Sequence, residues 1–66
     1  MKTWTLKPSD KIGEGVNSWD SHVLFLKASI PHLRVRDFIT FGHGDLEVRD
    51  IKLHSKGVLE IAVEAA

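Results

Sequence analysis

Apolar and polar residues alternate along the last part of the chain. In residues 58–64, Leu59, Ile61 and Val63 fall on one side of an extended backbone, and two glutamates fall on the other. Successive side chains of a strand point to opposite faces, so a period of two is typical of a β-strand with one buried face. The pattern therefore predicts a strand over residues 58–64.

Residues 46–53 alternate in the same way, but the alternation changes phase midway. Leu46 and Val48 occupy even positions, whereas the later apolar residues occupy odd ones. One extra residue in the strand would restore a single apolar face, so we predict a β-bulge or bend near residues 49–50. A turn containing Gly57, which can take a positive φ, then joins this strand to the last one.

The segment upstream, residues 31–40, is open to two interpretations. Alternate residues from Leu33 to Phe41 are mostly apolar, and β-branched and aromatic types are common among them, which favours a strand. Several of the same residues also have helical spacing, and Pro31 suits the first turn of a helix. A short helix over residues 31–40 is therefore the alternative.

The first half of the chain supplies two more strands and a long connection. Residues 2–6 form a short strand with Trp4 and Leu6 inward, and residues 22–28 form a strand that is apolar on both faces. Between them, residues 7–20 contain glycines and polar residues, which predicts a loop. We expect this loop to wrap around the core and to be held there by its apolar residues, Ile12, Val16 and Trp19.

These elements predict an all-β fold. About five mostly antiparallel strands fill residues 1–66, which form one small β domain. The architecture is either a small barrel of the SH3 or oligonucleotide-binding type or a curled open sheet. The helical interpretation of residues 31–40 would make the fold α+β.

Composition limits the ways in which so short a chain can be stabilised. The 66 residues include no cysteine, so disulfides and thiolate metal sites are excluded. Nine basic residues balance nine acidic ones, which gives no long-range attraction for nucleic acid or acidic membranes. We expect the chain to gain stability by self-association, and another protein partner is an alternative.

Hydropathy gives no indication of a membrane protein. No apolar run approaches the roughly 20 residues of a membrane span, and the start of the chain lacks the apolar segment of a signal peptide. The expected location is cytoplasmic or virion-associated.

The apolar strand identifies a candidate interface. Leu24 and Leu26 can join the core, and the other face, with Val23 and Phe25, then needs a second cover. We predict a subunit contact formed by Val23, Phe25 and Trp19, because tryptophan is enriched among interface anchors. The competing explanation is that the loop over residues 7–20 covers this face within one chain.

The stretch FGHGD, residues 41–45, is the most suggestive of chemistry. Its two glycines supply turn conformations, so a hairpin loop with an exposed histidine is the simplest interpretation. The four histidines recur at spacings of ten or eleven, which places His22 and His43 at one end of a meander and the other two at the opposite end. A metal ion at His22 and His43 would need ligands from a second subunit, and no other cofactor is expected.

Three residues indicate an alternative function. Arg34, Arg36 and Phe38 would share one face of a strand, and basic residues beside an aromatic ring are how small β-barrels bind single-stranded nucleic acid.

The chain as a whole predicts a non-enzymatic interaction or assembly module that acts as a homo-oligomer, in the manner of a microbial or phage accessory protein. Nucleic-acid binding is the first alternative, and a metal site shared between subunits is the second.

Overall fold

A computed structural model describes residues 2–28 and 33–66. Within these ranges, six strands form a single sheet, and the helical structure is limited to a 3₁₀ turn at Pro8–Asp10. The strands are β1 (Thr3–Thr5), β2 (Lys11–Val16), β3 (His22–Lys27), β4 (Phe38–Thr40), β5 (Asp45–Ser55) and β6 (Val58–Ala65). The all-β prediction is confirmed, with one strand more than expected.

The strand order is β1-β4-β5-β6-β3-β2. Neighbouring strands are antiparallel except for β1, which runs parallel to β4. The two edges of the sheet, β1 and β2, are consecutive in the chain and are separated by residues 6–10 alone. A flat sheet of six strands would hold its edges about 24 Å apart, but this link spans at most roughly 20 Å. The sheet therefore curls, and it stays open because β1 and β2 do not pair with each other.

The core lies on the concave face of this curled sheet. Apolar residues from four strands and the β1–β2 link are buried there. They are Leu6, Leu24, Leu26, Ile39, Val48, Ile61 and Val63. The central strands β3 and β6 carry four of the seven, in agreement with the alternation in residues 58–64. Trp4, Leu46 and Ile51 pack at the margin of this core.

The predicted bulge in β5 is confirmed. The register between β5 and β6 shifts between Val48 and Asp50, so Val48 and Ile51 both point into the core. Leu53, two residues after Ile51, is nevertheless 72% exposed. It pairs with Leu59 near the hairpin end, where the twisted β5–β6 ribbon extends past the core.

The predicted loop over residues 7–20 is wrong. Residues 11–16 form β2, an edge strand paired with β3, and the core-holding role is not observed because Ile12, Val16 and Trp19 are exposed. Gly13 and Gly15 concealed the alternation by leaving one face of the strand without side chains. Gly13 pairs with Phe25, and the Phe25 ring lies 3.8 Å from where a Cβ of residue 13 would be. An aromatic ring that covers an edge glycine in this way stabilises the strand pair.

The strand predicted from Leu33 to Phe41 is shorter than expected. β4 contains only residues 38–40, and a turn precedes it. Arg36 in this turn has a φ of 79°, which neither a strand nor a right-handed helix adopts. The helical alternative is wrong for residues 33–40, and its first two residues, 31 and 32, lie outside the described part of the chain.

A buried carboxylate holds this turn against the first strand. Asp37 accepts hydrogen bonds from the Lys2 N–H at 3.1 Å, from Trp4 Nε1 at 2.9 Å and from the Arg34 N–H at 3.0 Å. The indole hydrogen bond is the main cause that holds the pKa of Asp37 below its ordinary value, since each donor favours the ionised form. The parallel β1–β4 pair is therefore joined by a side chain as well as by its ladder.

Candidate functional site

The β2–β3 turn presents a tryptophan to solvent. The side-chain oxygen of Asn17 accepts the N–H of Trp19 at 2.8 Å and the N–H of Ser21 at 3.0 Å. Two main-chain hydrogen bonds, from Asn17 N to Ser21 O and from Asp20 N to Asn17 O, complete the turn. Asp20 takes a φ of 60°, a conformation that aspartate tolerates. Trp19 is 83% exposed. Because these hydrogen bonds fix the main chain of the turn, they also hold the Trp19 side chain in solvent.

Two more large apolar residues are exposed on the adjoining strand. Val16 is 66% exposed and Ile12 is 53% exposed, and both belong to the edge strand β2. We call Ile12, Val16 and Trp19 the β2 edge surface. Half of the main-chain groups of an edge strand point away from its neighbour and can pair with another chain. The bulge between Lys11 and Gly13 interrupts this edge only at its beginning.

A groove lies beside the β4–β5 loop. Its lining includes the apolar residues Phe41, Leu46 and Ala65, together with His43 and Asp45. Its volume is about 360 Å³, at the lower end of the range for sites that bind small ligands or single side chains.

The loop that borders the groove is the predicted FGHGD hairpin. Gly42 and Gly44 have φ values of 98° and 105°, which confirms the turn conformations expected of them. The Thr40 hydroxyl accepts the Gly42 N–H at 3.0 Å and closes the start of the loop. His43 is exposed, as the hairpin interpretation requires.

A row of charged groups connects β2 to β3. Lys11 Nζ lies 3.2 Å from Glu14 Oε1, and His22 Nε2 lies 2.9 Å from Glu14 Oε2. These hydrogen bonds, with that of His22 first, hold the pKa of Glu14 below its ordinary value. The Lys11 ammonium also lies 5.7 Å from the centre of the Phe41 ring, within the range of a cation–π contact. Glu14 therefore already has its hydrogen-bonding partners, Lys11 and His22, within one chain.

The three predicted interface residues differ in exposure. Val23 is 3% exposed, so it is already covered in the single chain. Phe25 is half-buried, with its ring 4.8 Å from the His54 ring and next to Gly13. Of Val23, Phe25 and Trp19, only Trp19 is available to a partner over its whole side chain.

His22 and His43, predicted to share one end of the sheet, do so. The strand directions place His22, at the start of β3, and His43, before β5, at one end, and His54, near the end of β5, at the other. His32 lies outside the described residues. In the ranges 2–28 and 33–66, no three histidine, aspartate or glutamate side chains cluster in a way that could hold a metal ion.

The predicted nucleic-acid residues do not form a stripe along one strand. Arg34 and Arg36 are exposed in the turn before β4, and Phe38 is half-buried in β4 opposite Glu47. The two arginines therefore lie in a turn that Asp37 holds in place, whereas the Phe38 ring lies in the strand beside Glu47.

Comparison with known proteins identified no relative of this chain. No protein-family model matches the chain, and no curated protein or solved structure is similar to it. The described residues include no helix with the length and apolar character needed to cross a bilayer.

Sequence reasoning missed both the β2 edge and the groove. The alternation of apolar or charged residues with glycine in residues 12–16 was the available signal for the edge strand. The groove had no comparable signal, because it combines the 41–46 hairpin with the end of β6, and the register shifts of the β5–β6 pair decide that Ala65 lies opposite Leu46.

Proposed function

We propose that the chain is a non-enzymatic assembly module that works as a homo-oligomer through its β2 edge surface. The exposure of Trp19 on a hydrogen-bonded turn is the observation that carries this proposal. A large aromatic side chain in solvent gains free energy when a partner buries it, and tryptophan is the residue most typical of interface hot spots.

The backbone around Trp19 reduces the entropic cost of association. Asn17 fixes the turn through the N–H groups of Trp19 and Ser21, so little main-chain freedom is left to lose when a partner binds. Ile12 and Val16 add exposed apolar area on either side of the paired Glu14, along an edge strand that can also accept a strand from another chain.

Charge supports self-association over a charged partner. The formal net charge is zero, so two copies experience little long-range repulsion. Lys11, Glu14 and His22 already pair with one another, and a contact beside them leaves no isolated charge buried. The cysteine-free composition agrees with a module of the cytoplasm or of a virion.

Sedimentation velocity over a dilution series from micromolar to millimolar concentration tests the proposal. We expect the wild-type protein to change from monomer to oligomer, and Trp19→Ser to shift that transition to at least about thirty-fold higher concentration. Leu53→Ser is the matched control, because Leu53 is an equally exposed apolar residue near the opposite end of the sheet.

The control variant should associate as the wild type does. A wild-type protein that sediments as a monomer at every concentration would contradict the proposed function.

A further inference from the structure

We infer that the groove lined by Phe41, Leu46 and Ala65 is the receptor for Trp19 of a second copy of this chain. The inference rests on the proposed self-association and specifies its contact. Each copy then provides one anchor and one receptor, and the interface is a reciprocal exchange of tryptophan side chains.

Strand directions make the exchange geometrically consistent. β2 ends and β3 begins at the same end of the sheet at which β4 ends, β5 begins and β6 ends. The Trp19 turn and the groove therefore both belong to that end. A two-fold axis there can bring each tryptophan to the groove of the other copy, which gives a closed dimer.

The groove suits an indole in its chemistry. Its apolar lining includes one aromatic ring and two aliphatic side chains, which match the apolar body of tryptophan. The indole N–H needs an acceptor when it is buried, and Asp45 is the acidic residue among those that line the groove. Among the described residues, no hydrogen bond to the Asp45 side chain competes for that carboxylate.

The chain does not fill the groove with its own tryptophans. Trp19 is 83% exposed, and the indole of Trp4 is hydrogen-bonded to Asp37 in the turn before β4 and lies beneath the Lys2 ammonium. Ala65 keeps the groove open, because its small side chain lies opposite Leu46 in the β5–β6 pair. The exposed end of β6 therefore offers a position at which the groove can be filled without changing the core.

Two complementary variants test the exchange. Ala65→Lys fills the groove and adds a charge at an exposed residue, so we expect dimerisation to weaken at least about thirty-fold, as for Trp19→Ser. Ala28→Lys is the matched control, since Ala28 is exposed just after β3 at the opposite end of the sheet. Circular dichroism melts establish that each variant is folded before its association is measured.

Mixing the two variants gives the decisive result. Trp19→Ser retains an intact groove, and Ala65→Lys retains an intact anchor, so an equimolar mixture can form one of the two contacts. We expect a heterodimer tighter than either variant forms alone, together with a blue shift in the emission of Trp19. Trp19→Ser supplies the emission of Trp4 for subtraction.

The failures of the two proposals are distinguishable. A wild-type dimer that Trp19→Ser disrupts and Ala65→Lys leaves intact would overturn the groove as receptor and keep the proposed function. A mixture that associates no better than its components would also overturn the exchange, and would indicate that Trp19 contacts its own counterpart. A wild-type monomer at all concentrations would overturn both proposals.

Discussion

The indole Nε1 of Trp4 donates a 2.9 Å hydrogen bond to Oδ2 of Asp37, and this bond joins an edge strand to the turn before its parallel neighbour. β1 contains only three residues, so its ladder with β4 is short. The same carboxylate accepts the Lys2 and Arg34 N–H groups. Removal of this one acceptor therefore affects the edge strand and the turn together.

Asp37→Asn should lower the thermal stability of the protein. The amide places an N–H₂ group where at least one of the three donors now finds an oxygen, and a buried donor without an acceptor is costly. Differential scanning calorimetry at neutral pH should show a lower Tm. Asp50→Asn is the control, because Asp50 is exposed and an amide oxygen can still accept its one local hydrogen bond, from Ile51 N.

The wild type and Asp37→Asn should also differ in how their stability depends on pH in acid. The folded-state pKa of Asp37 is below its unfolded value, so ionised Asp37 contributes stability above the unfolded pKa of about 3.9. That contribution is lost as the pH falls through the folded pKa. We expect the wild type to lose stability more steeply than Asp37→Asn below about pH 4. Parallel acid titrations of the two proteins would contradict this assignment.

Arg36→Gly should stabilise the protein. Arg36 has a φ of 79°, and a left-handed conformation costs a non-glycine residue roughly 1–2 kcal/mol. Glycine removes that cost but adds about 0.5–1 kcal/mol of backbone entropy, which leaves a gain of roughly 0.5–1 kcal/mol. Urea unfolding measures the difference. Arg34→Gly, two residues earlier and without a positive φ, should show no gain.

Phe25→Ala should destabilise the chain itself. The Phe25 ring packs on His54 and covers Gly13, so its loss removes contacts that belong to one copy. For a half-buried phenylalanine we expect a decrease of about 2 kcal/mol in the free energy of unfolding. Unfolding at a fixed, dilute protein concentration isolates this effect from association. Leu53→Ala, at an exposed position, should change stability by less than about 0.5 kcal/mol.

Nucleic-acid binding through Arg34, Arg36 and Phe38 predicts a strong dependence on salt. Fluorescence anisotropy with short labelled single strands should then show an affinity that falls as ionic strength rises, and Arg34→Ala should weaken it and reduce the salt slope by about one. Lys56→Ala in the β5–β6 turn is the control for loss of an exposed positive charge elsewhere. Lack of binding at low ionic strength would remove this alternative.

A metal ion shared by His22 and His43 of two copies predicts a rise in Tm when Zn²⁺ or Ni²⁺ is added. His43→Ala should abolish the rise, whereas His54→Ala, at the other end of the sheet, should not. An identical melting curve with metal and with chelator would count against a shared site.

Local features of this fold followed from the sequence. The strand over residues 58–64, the bulge after Val48 and the FGHGD hairpin all depend on a period of two or on glycines at turn positions. Such signals are local, because they reflect the pleat of a strand and the φ values open to single residues. The apolar character of β3 also predicted a strand covered on both faces, and Val23 and Leu24 are both buried.

Long-range arrangement was decided only by the tertiary structure. The sequence alone does not specify that β1 pairs with β4 in parallel, or that residues 11–16 form the opposite edge of the sheet, because strand order depends on contacts between distant segments. Exposure followed from the same arrangement. Val16 and Trp19 are as apolar as the core residues, yet they lie at the edge of the curled sheet, where no strand of the described chain covers them. The groove beside Phe41 exists because the β5–β6 register sets Ala65 opposite Leu46 at the end of the β4–β5 hairpin, and periodicity along the chain does not specify that register.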